Sequence, residues 1–384
     1  ATVATLEASL GAIDSVAVTE VGRAVDPPPG WVDEGHDTTV SDLRVATFDR
    51  MLDRVRRRWS FSTISERATE RVTDPGDDSL GDAGATDEPA DEAPAPPTQP
   101  AGVAEDETDL PLGAVAGGAA FGTLVHAVLE TVDFAGDDLD RELTEAIADQ
   151  LRWNSWPVEP ATLHAGLRAA IDTPLGPMFA GRRLRDLARA DRLDELGFEL
   201  PLGDAGRHAS DRELGALVLR HLPADDPLVP WATLLTEGVF GVRLAGHLTG
   251  SIDAVFRLHD PADPAVPPRF VVCDYKTNTL RARGHPPMAH DYRPDRLPAA
   301  MADHHYPLQA LLYAVALHRY LRWRLPGYDP AVHLGGAAYL FVRGMTGAEV
   351  PTVAGAPHGV FAWPIPPALV TDLSDLLDGQ EVRR

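Results

Sequence analysis

Between Asp74 and Asp109 the chain carries twelve acidic residues and no basic one, with Pro89, Pro94, Pro96, Pro97 and Pro100 set among Ala, Gly and Thr. Such a stretch has too little apolar surface to offset the entropy lost on ordering it. The expectation is a disordered, acidic, Pro/Ala-rich insert or linker over 63–112, most marked from about residue 72. It would separate a short N-terminal piece, 1–62, from the main folded region, 113–384. The same stretch accounts for half of the net charge of −24. The remainder is only mildly acidic, so a surface for a polyanion has to be a local patch of arginine rather than the field of the whole molecule.

Outside that stretch the composition favours a folded chain. Of 384 residues, 44% are apolar, enough for a core. A single cysteine, Cys273, excludes a disulfide framework, a Cys-rich zinc site and a four-Cys iron–sulfur cluster. No run of apolar residues is long enough for a membrane span, and the N-terminus lacks the charged, apolar and small-residue order of a secretory leader. A cytoplasmic location is expected. One lysine, Lys276, stands beside 33 arginines. That bias, with heavy use of Ala, Pro, Gly and Asp, looks like a GC-rich genome replacing Lys wherever a surface charge suffices. A lysine retained against it is a candidate for a role that guanidinium cannot fill. With that lysine in another context, the chain has no phosphate-binding loop of the G-x-x-x-x-G-K-[ST] type, and ATP hydrolysis is not expected of it.

Patterning supplies the elements. Ser15–Glu20 reads as a short strand, and Pro27–Gly30 as a turn. Leu124, Val125, Val128, Leu129 and Val132 form a helical stripe over 121–132. Further helices are expected near 139–153, 160–172 and 175–190, the last bearing Arg182, Arg183, Arg185 and Arg189 as candidates for phosphate contact. Strands follow at 198–202, 246–258 and 270–278, the last two an antiparallel pair around a loop of four prolines between Asp260 and Arg269. A long helix from about 299 to 325, a buried strand at 335–342 and a helix at 366–379 complete a mixed sheet flanked by helices.

The chemistry concentrates on 270–278. Period-2 alternation sets Phe270, Val272, Asp274 and Lys276 on one face and Val271, Cys273 and Tyr275 on the other. A carboxylate beside an ammonium at the polar end of an apolar strand can hold a cation and stabilise charge on an attacked phosphate. The alternative is a surface ion pair on an edge strand. Asp253, bracketed by Ile252 and Val255 on the preceding strand, is costly unless paired or metal-bound. His126 lies on the flank of the 121–132 stripe with Glu130 one turn on, as a metal ligand or an ordinary helix residue. Gln309 and Tyr313 are one turn apart, with Tyr306 before them. They read as surface polarity, or as residues that steer the lysine or touch a DNA backbone.

The order Gly122-Thr-Leu-Val-His126, Gly250-Ser-Ile-Asp253, Asp274-Tyr-Lys276, Tyr306-Pro-Leu-Gln309-Ala-Leu-Leu-Tyr313 resembles the nuclease domains of the RecB family. The tracts Leu312–Leu321 and Gly335–Gly344 extend the likeness beyond the wider PD-(D/E)XK superfamily. The resemblance implies an α/β, restriction-endonuclease-like mixed sheet flanked by helices, with a helical N-terminal part. It implies metal ligation by His126, Asp253, Asp274 and the carbonyl of Tyr275. Lys276 would be the catalytic lysine, with Gln309 and Tyr313 in the motif after it. Arg192–Glu199 resembles the family's acidic, aromatic segment, making Glu195 a functional acid, although Gly197 stands where a second acid is common. The implied activity is Mg2+-dependent hydrolysis of DNA in double-strand-break processing for homologous recombination. Mn2+ could substitute, and Ca2+ could occupy the site without supporting cleavage. The implied partners are DNA, chiefly single strands, RecC- and RecD-like subunits and RecA. Residues 1–62 would be a helicase remnant and lead-in. The alternative is a non-catalytic module that docks RecA or DNA.

Overall fold

The computed structural model describes residues 56–73, 110–153, 156–203, 208–260, 262–263, 265–281 and 286–380. The acidic run 74–109, the strand expected at 15–20 and the turn at 27–30 lie outside the described residues. The fold begins with strand β1 (Arg56–Trp59) and helix α1 (Phe61–Thr73), so 63–73, expected within the linker, are helical. Their apolar positions explain the difference: Phe61, Ile64 and Ala68 are buried in the core, and Ser60 caps the first turn through Thr63.

Three helices follow: α2 (Ala119–Thr131), α3 (Leu139–Trp153) and α4 (Pro160–Asp172). The stripe read from α2 is buried as its spacing requires, each such side chain contributing about 1.5–3 kcal/mol. The next elements are β2 (Arg192–Pro201), β3 (Ala209–Ser210), α5 (Asp211–His221), α6 (Val229–Thr236), β4 (Arg243–Leu258) and β5 (Arg269–Lys276). Then come α7 (Leu297–Asp303), α8 (Tyr306–Arg324), the single turn α9 (Pro330–His333) and β6 (Leu334–Phe341). The two-residue strands β7 (Thr352–Val353) and β8 (Ala356–Pro357), then β9 (Val360–Trp363) and α10 (Pro367–Leu377), complete the order.

The main sheet runs β1-β4-β5-β6-β9, with β2 and β3 also paired to β4. β1–β4 and β5–β6 are parallel, whereas β2–β4, β4–β5 and β6–β9 are antiparallel. This is the mixed sheet expected. One face, through Val271, Cys273, Tyr275 and Leu340, shares a core with α2, α3 and α4. The other, through Val272, Tyr339 and Phe341, shares a core with α5, α8 and α10. Gly246 permits the β1–β4 approach: its φ is 107°, and a Cβ there would lie 2.3 Å from the Arg57 carbonyl oxygen.

Two expected helices differ. The span 175–190 forms three 3-10 turns, Pro177–Phe179, Leu184–Asp186 and Arg189–Asp191. Pro174, Gly176, Pro177 and Gly181 interrupt it, with both glycines at positive φ. Its arginines are engaged locally: Arg183 pairs with Asp186, Arg185 with Asp172 and Arg189 with Asp194, and Arg182 donates to the His259 carbonyl. Each of the four candidate phosphate contacts thus already has a partner within the fold. The helix expected over 299–325 is broken at His304-His305. His305 has a left-handed φ of 55°, and Pro307 in the first turn of α8 cannot extend α7 because it has no N–H to donate.

Candidate active site

β5 lies between β4 and β6, so it is not an edge strand, and a helical layer covers each of its faces; Asp274 and Lys276 are each 1% exposed. That removes the alternative of a surface ion pair on an edge strand. The two side chains share a face, as the alternation requires, with Lys276 Nζ 2.8 Å from Asp274 Oδ2. The β4–β5 ladder ends at Ala254–Cys273. Asp253 and Asp274 therefore stand where the two strands part. Asp253 Oδ2 accepts from the Tyr275 N–H at 2.8 Å, a bond available only because the ladder has stopped.

α2 brings His126 to the same fork. Its Nε2 lies 2.7 Å from the Tyr275 carbonyl oxygen, to which it donates, and its Nδ1 lies 3.5 Å from Asp253 Oδ2. Burial pushes the Asp274 carboxyl up to about 8; Lys276 opposes that rise and the neighbouring Asp253 adds to it. Glu195 on β2 is held at φ 46°, accepts from Ser251 Oγ at 2.8 Å, and is raised first by burial and then by the charges of Asp253 and Glu130.

Gln309 and Tyr313 do not face solvent; each is 1% exposed. A direct contact with a DNA backbone is thus excluded for both in this conformation. They belong to a buried chain: Tyr339 Oη donates to Gln309 Oε1 at 3.1 Å, and Gln309 Nε2 donates to Tyr313 Oη at 3.0 Å. The Tyr313 ring meets Phe198 edge-on. This chain ends at the lysine. Lys276 Nζ lies 4.2 Å from the Tyr306 ring centroid and 5.6 Å from that of Tyr339, and the two rings stack at 5.7 Å. Tyr306 Oη is fixed in turn on Asn278 Oδ1.

Tyr339 was not singled out from the sequence. Its signal is the parallel register Asp274↔Tyr339 between β5 and β6, which no local pattern encodes.

Among the described residues no three His, Cys, Asp or Glu side chains converge as a finished cation cage. Asp253 is within reach of His126, whereas Asp274 turns to Lys276. The donor chemistry nevertheless fits a hard divalent ion. Two carboxylates, an imidazole and the Tyr275 carbonyl are gathered at one fork, where burial opposes the negative charge on Asp274 that a divalent ion would favour.

The chain belongs to the PD-(D/E)XK nuclease superfamily, whose sequence pattern matches residues 105–378. Within that class its similarity is to RecB. It is 46% identical over 347 residues to the RecBCD enzyme subunit RecB of Mycolicibacterium smegmatis, covering 88% of this chain and 30% of that protein. It is 46% identical over 349 residues to RecB of Mycobacterium tuberculosis H37Rv, with the same coverage of each chain. Against RecB of Escherichia coli K12 the figure is 32% over 231 residues, 59% of this chain and 17% of that one. The chain thus spans about 30% of the length of the mycobacterial relatives. Among the described residues, no helix is long and apolar enough to cross a membrane.

Proposed function

We propose that this chain hydrolyses DNA phosphodiester bonds, chiefly in single strands, using Mg2+. Mn2+ would be able to replace it, and Ca2+ would occupy the site without supporting cleavage. The single observation that carries this reading is the strand fork. Asp253, Asp274 and Lys276 meet at the point where β4 and β5 diverge, with His126 set against the Tyr275 carbonyl.

In this reading His126, Asp253, Asp274 and the Tyr275 carbonyl hold the ion. When bound, the ion neutralises charge on the scissile phosphate and lowers the pKa of coordinated water. Lys276 is the fixed cation beside Asp274. Held by its carboxylate and the Tyr306 ring and only 1% exposed, it lends its positive charge to the site from beside Asp274, where it can stabilise charge developing on phosphate oxygens. Gln309 and Tyr313 act through Tyr339, by fixing one wall around the lysine. Glu195, exposed at the rim with its proton affinity raised, is a reserve acid.

We place the domain in a RecBCD-type assembly that processes double-strand breaks for homologous recombination in the cytoplasm. DNA would be supplied by an attached helicase, of which residues ahead of Arg56 would be the end, and RecC- and RecD-like subunits and RecA would be neighbours. The competing reading is a docking module without catalysis. Calorimetric titration with Mn2+ separates the two, alongside a cleavage assay on single- and double-stranded DNA with and without Mg2+. The nuclease reading predicts saturable metal binding and Mg2+-dependent loss of the single strand. DNA or RecA binding with neither metal uptake nor cleavage would favour the docking module.

A further inference from the structure

The strongest buried feature outside the fork is Arg343, in the 3-10 turn Val342–Gly344 directly after β6. It is 0% exposed. Its Nε donates to the Thr277 carbonyl at 2.7 Å. Nη1 donates to Leu112 O at 2.6 Å and Val115 O at 2.8 Å, and Nη2 to Ala116 O at 3.2 Å. Beneath the guanidinium, at 4.8 Å, lies the ring of Phe121 in the first turn of α2. A guanidinium buried this deeply costs several kcal/mol unless its donors are satisfied, so the arrangement is one the fold must specify.

The acceptors come from two segments. Thr277 follows Lys276, where the main chain leaves β5. Leu112, Val115 and Ala116 lie where the main chain approaches α2. At the other end of α2, the buried Arg192 donates to Glu130 O at 3.1 Å and Val132 O at 2.9 Å, a favourable position for a cation at a helix C-terminus. His126 sits between these two anchors, and its meeting with the Tyr275 carbonyl at 2.7 Å depends on how α2 is set against the end of β5.

We propose that Arg343 is a positioning residue for the cation site: it crosslinks the backbone entering α2 to the backbone leaving β5, and so fixes the spacing between His126 and the Tyr275 carbonyl. This rests on the metal-dependent reading given above. A planar fork can reach carbonyls of both segments at once, whereas the point-like ammonium of lysine cannot span them. Partners that hold metal ligands in place from behind are worth about 10- to 100-fold in affinity.

The test is calorimetric titration of Mn2+ into the full chain, comparing wild type, Arg343→Lys and Arg319→Lys. Arg319 is a control as a second anchored guanidinium: its side chain is 8% exposed, donates to Ser374 O and Pro201 O and pairs with Asp378 at 2.7 Å, on the helix α8–α10 side of the molecule. Arg343→Lys is expected to weaken Mn2+ binding about tenfold or more. Arg319→Lys is expected to lower the melting temperature and leave Mn2+ affinity unchanged. Wild-type affinity in Arg343→Lys overturns the proposal, and so does an equal loss in both variants, which would make the effect one of general stability. If Arg343→Lys does not fold, Phe121→Leu removes the ring under the guanidinium, and Trp156→Leu, which removes the ring stacked on Phe121, is its control; Mn2+ binding weakened in Phe121→Leu alone supports the proposal, and unchanged binding or an equal loss in both overturns it. Absence of Mn2+ binding in the wild type removes the metal reading and this proposal together, whereas normal wild-type binding with an unaffected Arg343→Lys removes only the proposal.

Discussion

Lys276 is held by three different groups, and each makes a different demand on the side chain. Asp274 asks for a cation at 2.8 Å, and the rings of Tyr306 and Tyr339 ask for one over their faces. Arginine can meet either demand alone, but its broader head group does not fit between Asp274 and two buried rings in a space filled by an ammonium. Lys276→Arg is therefore expected to reduce DNA cleavage about 100-fold or more, the scale of losing one preorganised charge-stabilising group, with an unchanged circular dichroism spectrum. Cleavage at the wild-type rate would reduce the lone lysine to an accident of codon usage. The alternation along Arg269–Lys276 was enough to pair Asp274 with Lys276. The depth of the pair was not legible, because it depends on β6 closing the far side of β5.

At the scale of elements, the site is made by a ladder that stops. β4 and β5 separate after Ala254–Cys273, and the two aspartates take the positions just past the last pair. The antiparallel pair was readable from two apolar runs around a Pro-rich loop. The stopping point was not, since it shows only in the register of the two strands, where Asp253 accepts from the Tyr275 N–H in place of a ladder bond. Gln309 and Tyr313 were visible as neighbours one helical turn apart, but their partner, Tyr339, arrives from β6. The failed helix over 175–190 has a plain cause: arginines recur there at helical spacing, while Pro177 has no N–H to donate and Gly176 and Gly181 take positive φ, outside the helical region. Tyr339→Phe isolates the buried chain from the lysine. It is expected to lower stability by about 1 kcal/mol through the lost bond to Gln309, read by urea denaturation. Cleavage should fall less than in Lys276→Arg. A fall as large as that of Lys276→Arg would mean that the lysine's placement depends wholly on the Tyr339–Gln309 bond.

For the whole molecule, a net charge of −24 does not oppose a DNA substrate uniformly, because half of it lies between Asp74 and Asp109. The more local cost is the crowding of Asp253, Asp274 and Glu195 around one fork, which a divalent ion would relieve. A ligand that binds only the folded state stabilises it by about 2.7 kcal/mol at 100 times its Kd. Mn2+ is accordingly expected to raise the melting temperature of the wild type, chelator to reverse the gain, and Asp253→Asn to lose it, as read by differential scanning calorimetry. Equal shifts in wild type and Asp253→Asn would place the bound ion elsewhere.

The central claim is that the fork between β4 and β5 is where DNA is cut, and the most direct measurement is cleavage of single-stranded DNA in Mg2+ by wild type and Asp274→Asn. The substitution keeps the shape of the side chain and removes its charge, so folding can be verified on the same samples by circular dichroism. Mg2+-dependent cleavage by the wild type, with loss of about 100-fold or more in a folded Asp274→Asn, is the predicted result. Undiminished cleavage by that variant would contradict the account.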